Sequence, residues 1–211
     1  NEEAMATLKI DVKSRIPEVV GRIFSAKVVE LGLANYPGWT VQSDIKQGGP
    51  FISYWPALIG NDKVRETVHF DGKEYGIEVP THKNFDVEKT EIKVEKMEIN
   101  ETEKIAFGRI FGTRSGDKGG CANLGTWAKD LESYQFLYHF LTVEELKKLL
   151  PDLKEYEIER HEFPNILALN FFVRGLLENG VSSNNRRDGQ AKSLGEYLGS
   201  KLIDCPKDLK G

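Results

Sequence analysis

Residues 112–123 read GTRSGDKGGCAN, a stretch dense in glycine and polar side chains. Four glycines fall within residues 112–120. Glycine is favoured where the backbone φ is positive or where a ligand approaches the main chain closely. The apolar residues on both sides have the period of strands. The sequence therefore predicts a glycine-rich polar loop between two strands.

The side chains of this loop suggest that it holds an anionic group. Successive backbone N–H groups in such a turn form a concave nest for phosphate or carboxylate. Two cations add charged donors, and an aspartate can orient one of them or accept from a ligand hydroxyl. The alternative is a wide hairpin whose glycines serve only the backbone geometry. The candidate ligand-binding residues here are Arg114, Ser115, Gly116, Asp117, Lys118, Gly119, Gly120 and Asn123.

Two nucleotide-binding motifs are excluded for this stretch. It is not a Walker loop, because no Ser or Thr follows a Gly-Lys pair. It is not a dinucleotide fingerprint, because it leads into a predicted strand and not into a helix. Cys121 could be a nucleophile, but no histidine is placed by the sequence to activate it, and a structural cysteine is the favoured interpretation.

Two further polar stretches supply candidate residues. His161 stands beside Glu162, and a histidine near a carboxylate can act as a general base. Neighbouring residues on a strand point to opposite faces, so a hydrogen-bonded structural histidine is the alternative. Asn165 follows in a predicted turn. Arg187, in the polar stretch 182–188, can pair with a carboxylate or phosphate or can belong to an ordinary surface loop.

The sequence from residue 104 onward predicts an α+β layer. Alternating or apolar runs predict strands at 105–111, 122–127, 156–163 and 165–173. Helical spacing predicts helices at 131–141, from a cap at Thr142 to Pro151, and at 190–202 with Asp188 as its cap. This order suits an antiparallel sheet covered on one face by helices.

The first half predicts a smaller α/β segment. We expect a strand at 8–12, a mostly buried helix from Pro17 to about residue 36, and a short strand at 39–42. Asp71-Gly72 predicts a hairpin between residues 64–70 and 73–79. The charged stretch 81–103 then predicts a linker with an exposed edge strand at 87–99. The expected domains are therefore 1–80 and 104–211, joined by 81–103.

Composition narrows the class of protein. The 211 residues are 39% hydrophobic and 29% charged with a net charge of −4, which argues against nucleic-acid binding. No apolar run approaches the roughly 20 residues that span a membrane. The two cysteines have no metal-ligand spacing, so we expect a reducing, cytoplasmic compartment and neither a metal nor a cofactor.

Four blocks of sequence, in the same order, carry a resemblance to a known family. They resemble the small C-terminal domain of the AtuA family, the acyclic terpene utilisation proteins. The segments PEVVGRIFSAKVVELGLANYPGW (17–39) and SYWPALI (53–59) are similar to the end of the larger domain of some members. The four blocks are RSGDKGGCANLGTWA (114–128), FLTVEELKKLLP (140–151), HEFPNILALNF (161–171) and DGQAKSLGEYL (188–198).

The resemblance implies a ferredoxin-like fold from about residue 104 and a role in catabolism of branched acyl-CoA intermediates from citronellol-like terpenes. It also implies an acyl-CoA lyase-like activity in which this chain is the C-terminal portion or a small subunit. The glycine-rich loop would then bind an acyl-CoA phosphate or substrate carboxylate, or dock onto a large catalytic domain. The alternative is a non-catalytic module that builds a homo-oligomer through its aromatic loop, residues 47–56, and its hairpin.

Overall fold

The computed structural model describes residues 6–33, 48–78 and 93–209. The chain divides into two compact units, residues 1–52 and 53–211. The domain boundaries at 80/81 and 103/104 stay predictions. No helix in the described ranges is both long and apolar enough to cross a membrane.

The first unit is built on two helices, α1 (Pro17–Val20) and α2 (Arg22–Leu33). Proline occupies the first turn of α1, as expected. The backbone of Gly21 leaves helical geometry with ψ −137°, which divides the predicted single helix in two. Ile23 is 66% exposed, so the predicted burial around most of the helix is wrong. The described residues of this unit provide no second layer to cover that side.

The strand predicted at residues 8–12 is absent, because no described segment of the first unit forms a strand with which it could pair. The strand predicted at 39–42 lies outside the described residues. In the charged stretch, residues 93–99 form no strand, and the rest of that prediction also lies outside the described residues.

The predicted hairpin is confirmed in the second unit. It pairs β1 (Thr67–Phe70) with β2 (Lys73–Gly76). Asp71 and Gly72 have φ of 48° and 69°, the positive values that a tight two-residue hairpin turn requires. Every residue of both strands is exposed.

A second pair of strands brings together the two ends of the region between residues 102 and 206. β3 (Thr102–Ala106) pairs antiparallel with β8 (Leu202–Pro206). The last helix, predicted at 190–202, is shorter in the structure, where α6 covers only Leu194–Gly199. The strand β8, which starts at Leu202, was not predicted from the sequence. The strand predicted at 105–111 is wrong beyond Ala106, because α3 (Phe107–Ile110) makes one helical turn that buries both of its apolar ends.

The main sheet has four antiparallel strands in the order β4-β5-β7-β6. Leu124 and Phe171, at the centre of the sheet, are fully buried against the helices, and this face forms the core. The α+β class with a helix-covered antiparallel sheet is therefore confirmed. The strands are β4 (Gly112–Lys118), β5 (Cys121–Trp127), β6 (Ile158–Phe163) and β7 (Ala168–Val173), and the helices between them are α4 (Leu131–Phe140) and α5 (Val143–Leu149).

Candidate functional site

The glycine-rich stretch is not a loop. β4 continues to Lys118 and β5 begins at Cys121, so only Gly119 and Gly120 form the turn. Pairing in the ladder uses backbone groups that the predicted nest would have offered to a ligand. The prediction of a loop is therefore wrong. Glycine, aspartate and lysine have low strand propensity, and pairing with β5 along the whole of β4 overrides that propensity here.

The turn itself explains two of the four glycines. Gly119 has φ of 62°, which disfavours a side chain. A Cβ added at Gly120 would lie 2.1 Å from the carbonyl oxygen of Glu178. Gly119 thus provides the φ of the turn, and Gly120 leaves room for the carbonyl of Glu178.

The strand register divides the predicted site residues between two faces of the sheet. Residues paired across an antiparallel ladder present their side chains on the same face. Ser115 pairs with the buried Leu124 and so belongs to the helix-covered face, whereas Arg114 pairs with Gly125 and belongs to the other. We call that other side the open face. It is formed by Gly112, Arg114, Gly116, Lys118, Cys121, Asn123, Gly125, Trp127, Glu159, His161, Phe163, Ala168, Asn170 and Phe172.

A polar row crosses the open face. Arg114 pairs with Gly125, Gly125 with Asn170, and Asn170 with His161, one residue on each strand. Three strand spacings separate the ends of this row, about 14 Å. The side-chain amide of Asn123, on the next row, donates to Asn170 Oδ1 at 3.2 Å. The row therefore presents a cation at one end, the Asn170 amide in the middle and an imidazole at the other end, with the Asn123 amide beside it.

Lys192 brings a second cation to the arginine end. Its backbone carbonyl accepts from Ser115 Oγ at 3.2 Å, and Ser115 Oγ accepts from the backbone N–H of Gly195 at 2.8 Å, which ties the start of α6 to β4. Lys192 Nζ lies 3.1 Å from the point where a Cβ at Gly116 would stand. Because Gly116 has no side chain, the ammonium can lie over the open face, 3.9 Å from Asp117 Oδ1.

The histidine end has a carboxylate partner that the sequence did not identify. His161 Nε2 lies 3.5 Å from Glu159 Oε2 on the same face, and Glu159 also pairs with Arg174. Glu162 points to the other face, where it pairs with Arg160 and accepts from the hydroxyl of Tyr138 at 3.0 Å. Glu159, and not Glu162, is therefore the carboxylate that shares a face of the sheet with His161.

Comparison with known proteins agrees with this architecture. Residues 104–204 match the family model of the AtuA ferredoxin-like domain, and residues 1–70 match that of the acyclic terpene utilisation family protein AtuA.

The chain belongs to the AtuA family. No curated protein and no solved structure matches it. In this AtuA ferredoxin-like domain the matched residues include every strand of the main sheet, so the open face is part of the family domain.

The AtuA domain brings some of the predicted residues together and separates others. Those on the open face are Arg114, Gly116, Lys118, Asn123 and His161. Ser115 and Asp117 belong to the opposite face by register, and Gly119 and Gly120 form the turn. Asn165 lies in the exposed turn Pro164–Ile166, and Arg187 lies in the exposed loop before α6. A ligand-binding role for any of them stays a prediction.

Sequence reasoning missed three residues of the site: Asn170, Lys192 and Glu159. Asn170 interrupts the apolar run of β7, and a polar residue in such a run was the available signal. Lys192 had no comparable signal, since its place depends on the packing of α6 against β4. Within the described residues, no group of three or more His, Cys, Asp and Glu is arranged to hold a metal ion.

Proposed function

We propose that this chain acts in the catabolism of branched acyl-CoA intermediates during acyclic terpene utilisation, as the C-terminal portion or small subunit of an AtuA-like protein. In this proposal the open face binds the anionic part of the ligand, a phosphate or a carboxylate, or docks onto a catalytic domain. Family membership supports the broad role. The free thiols of Cys121 and Cys205 support a reducing, cytoplasmic location.

The observation that carries the ligand role is the approach of Lys192 Nζ to Gly116 beside Arg114. The backbone of Lys192 is anchored by the buried Ser115, and the Lys192 side chain is 62% exposed. Two cations and the Asn123 amide then face the same region of the sheet. Charge-assisted donors of this kind are the strong contacts to phosphate and carboxylate.

Calorimetric titration of the full chain with isovaleryl-CoA tests this role. We expect Arg114→Ala and Lys192→Ala each to weaken binding roughly tenfold or more, because each removes a charged donor. Lys104→Ala is the matched control, since its ammonium pairs with Asp204 on the separate β3–β8 sheet. Equal binding by wild type and both variants would remove the ligand role.

A second candidate function, self-assembly, is favoured by the β1–β2 hairpin. Its register puts Val68 opposite Tyr75, and Phe70 lies two residues along on the same face. These three side chains are 44%, 49% and 70% exposed. An isolated two-stranded hairpin is marginally stable in water. We propose that this face packs against the same face of a second copy, because a self-complementary contact closes as a dimer.

Light scattering of the full chain during size-exclusion chromatography tests the assembly. We expect a dimer for the wild type and a monomer for Phe70→Lys, which puts a charge at the apolar face. His69→Lys is the control on the opposite face of the same strand and should stay dimeric. A wild-type monomer across the accessible concentration range would refute this second candidate.

A further inference from the structure

A second row of the open face is apolar. Trp127 pairs with Ala168, and Ala168 pairs with Phe163 on the far side. Trp127 and Phe163 are 43% and 45% exposed. This row lies two residues along each strand from the polar row, about 7 Å away. We call these three residues the apolar strip.

The two aromatic residues are separated by the smallest apolar side chain of the sheet. Ala168 stands between them in the ladder and contributes only a methyl group. A Cβ added at Gly112 would lie 2.2 Å from Trp127 Cε2, so the indole extends over Gly112, toward the β4 edge and away from Ala168. The methyl of Ala168 can therefore form the floor of a shallow apolar slot between the indole and the Phe163 ring.

The charges beside the apolar strip indicate what kind of molecule it contacts. Arg114 lies two residues along β4 from Gly112, and Lys192 reaches the same side of the sheet at Gly116. An apolar surface next to two cations is complementary to an amphipathic anion, with its charge on the cations and its hydrocarbon on the aromatic rings. A purely polar anion would leave the apolar strip uncovered.

We infer that the apolar strip is the subsite for the aliphatic chain of a carboxylate ligand whose carboxylate group is held by Arg114 and Lys192. This inference rests on the proposed ligand role of the open face and adds the substrate class, an anion carrying an aliphatic chain of several carbons. Each methylene group buried on the strip should strengthen binding by about fourfold.

A chain-length series measured by calorimetry tests the inference. We expect the full chain to bind octanoate at least about tenfold more tightly than acetate, since the carboxylate and the hydrocarbon chain of octanoate can reach the cations and the strip together. Phe163→Ala should reduce this preference severalfold, and so should Trp127→Ala. Leu202→Ala is the control, because it removes a 63% exposed apolar side chain from the β3–β8 sheet and should keep the wild-type preference. Circular dichroism spectra show which variants are folded, and Phe163 lies on an edge strand where truncation disturbs little packing.

The outcomes separate this inference from the proposed function. If acetate and octanoate bind equally and Arg114→Ala weakens both, the anion site stands and the chain subsite is wrong. An unchanged preference in folded Phe163→Ala and Trp127→Ala also overturns the chain subsite. If neither octanoate nor acetate binds the wild type, the chain subsite is wrong, whereas the isovaleryl-CoA titration decides the proposed ligand role by itself.

Discussion

Gly120, in the turn between β4 and β5, lies where a residue with a side chain would clash with the backbone. Its Cα faces the carbonyl of Glu178, and an added Cβ would stand 2.1 Å from that oxygen. Since the neighbouring atom belongs to the backbone, the contact cannot be relieved by turning a side chain. The carbonyl of Gly120 also accepts from Leu177 N at 2.9 Å, so movement would weaken that hydrogen bond.

We therefore expect Gly120→Ala to lower the free energy of unfolding by about 2 kcal/mol or more, measured from urea midpoints. Gly76→Ala is the matched control, because nothing lies within 4 Å of a Cβ at that glycine. Similar midpoints for the two variants would mean that the turn and the 178 region can separate at little cost.

Tyr134 is fully buried in α4, and its hydroxyl has no hydrogen-bond partner among the described residues. Burial, with a smaller contribution from the negative charge of Glu162, raises the pKa of Tyr134 to about 12. Because the folded state holds this proton more tightly than the unfolded state, stability is lost as the pH rises from about 10 toward 12.

We expect Tyr134→Phe to be neutral or stabilising by up to about 1 kcal/mol at pH 7, since it removes a buried polar group without a partner. Its advantage over the wild type should grow above pH 10. Urea unfolding at pH 7 and pH 10.5 measures both effects. Tyr197→Phe, on a partly exposed ring, provides the comparison. A loss of stability in Tyr134→Phe at pH 7 would mean that the hydroxyl does have a stabilising partner.

At the scale of elements, Ser115 joins α6 to β4. Its hydroxyl accepts from Gly195 N and donates to the carbonyl of Lys192. Gly195 approaches so closely that a Cβ there would lie 3.3 Å from the backbone of Arg114. The helix and the strand are thus in direct backbone contact, with one hydroxyl bridging them.

We expect Ser115→Ala to cost about 1–2 kcal/mol of stability, because it leaves the buried Gly195 N–H without its acceptor. Isovaleryl-CoA binding should also weaken, since Lys192 loses its anchor. Thermal unfolding and calorimetry measure the two effects. In the control Ser200→Ala an exposed hydroxyl that donates to Tyr197 O is removed. Unchanged binding by Ser115→Ala would show that Lys192 is positioned without this bridge.

The elements that the sequence predicted well are those with a local signal. Thr142 accepts from Glu145 N at 3.1 Å and caps α5 as expected, and Asp71-Gly72 makes the expected hairpin turn. Asp188 also receives backbone N–H groups, from Lys192 and Ser193, although α6 begins later than predicted. In each case a side chain satisfies backbone donors a few residues away, or two adjacent residues adopt the required φ.

The site could not be predicted in the same way, because it depends on register. Which residues share a face with Arg114 is set by the two-residue turn at 119–120 and by the pairing of β5 with β7, which are distant in sequence. His161 stands next to Glu162 in the sequence, but neighbouring side chains of a strand point to opposite faces. His161 therefore shares its face with Glu159, two residues away. Period-2 alternation predicts which residues of one strand share a face. Which residues of the neighbouring strands lie beside them on that face depends on the register of the folded sheet.

In the molecule as a whole, the hydrophobic core is formed by one continuous part of the chain. Within the described residues, every buried hydrophobic side chain lies between Phe107 and Leu209, with Val94 and Met97 packed against it. The earlier part of the second unit contributes little to this core. One contact is a hydrogen bond from Tyr54 N to Asn179 O at 2.8 Å.

A fragment comprising residues 93–211 should therefore fold by itself. We expect a cooperative thermal transition within about 10 °C of that of the full chain, since the loss of the Tyr54 contact is worth about 1 kcal/mol. Circular dichroism during heating measures the transition. A fragment without a cooperative transition would show that residues 53–78 support the core in a way that burial does not reveal.

The pairing of β3 with β8 bears on how the gene segment for this region can be transferred between genes. Thr102 stands directly opposite Pro206, so the chain enters and leaves this region at neighbouring points about 5 Å apart. A gene segment encoding residues 102–206 can therefore be spliced into the surface loop of an unrelated host without forcing the ends of that loop apart. Recombination can therefore move such a segment between genes as one unit, and the segment can be joined to other domains without changes to its hydrophobic core.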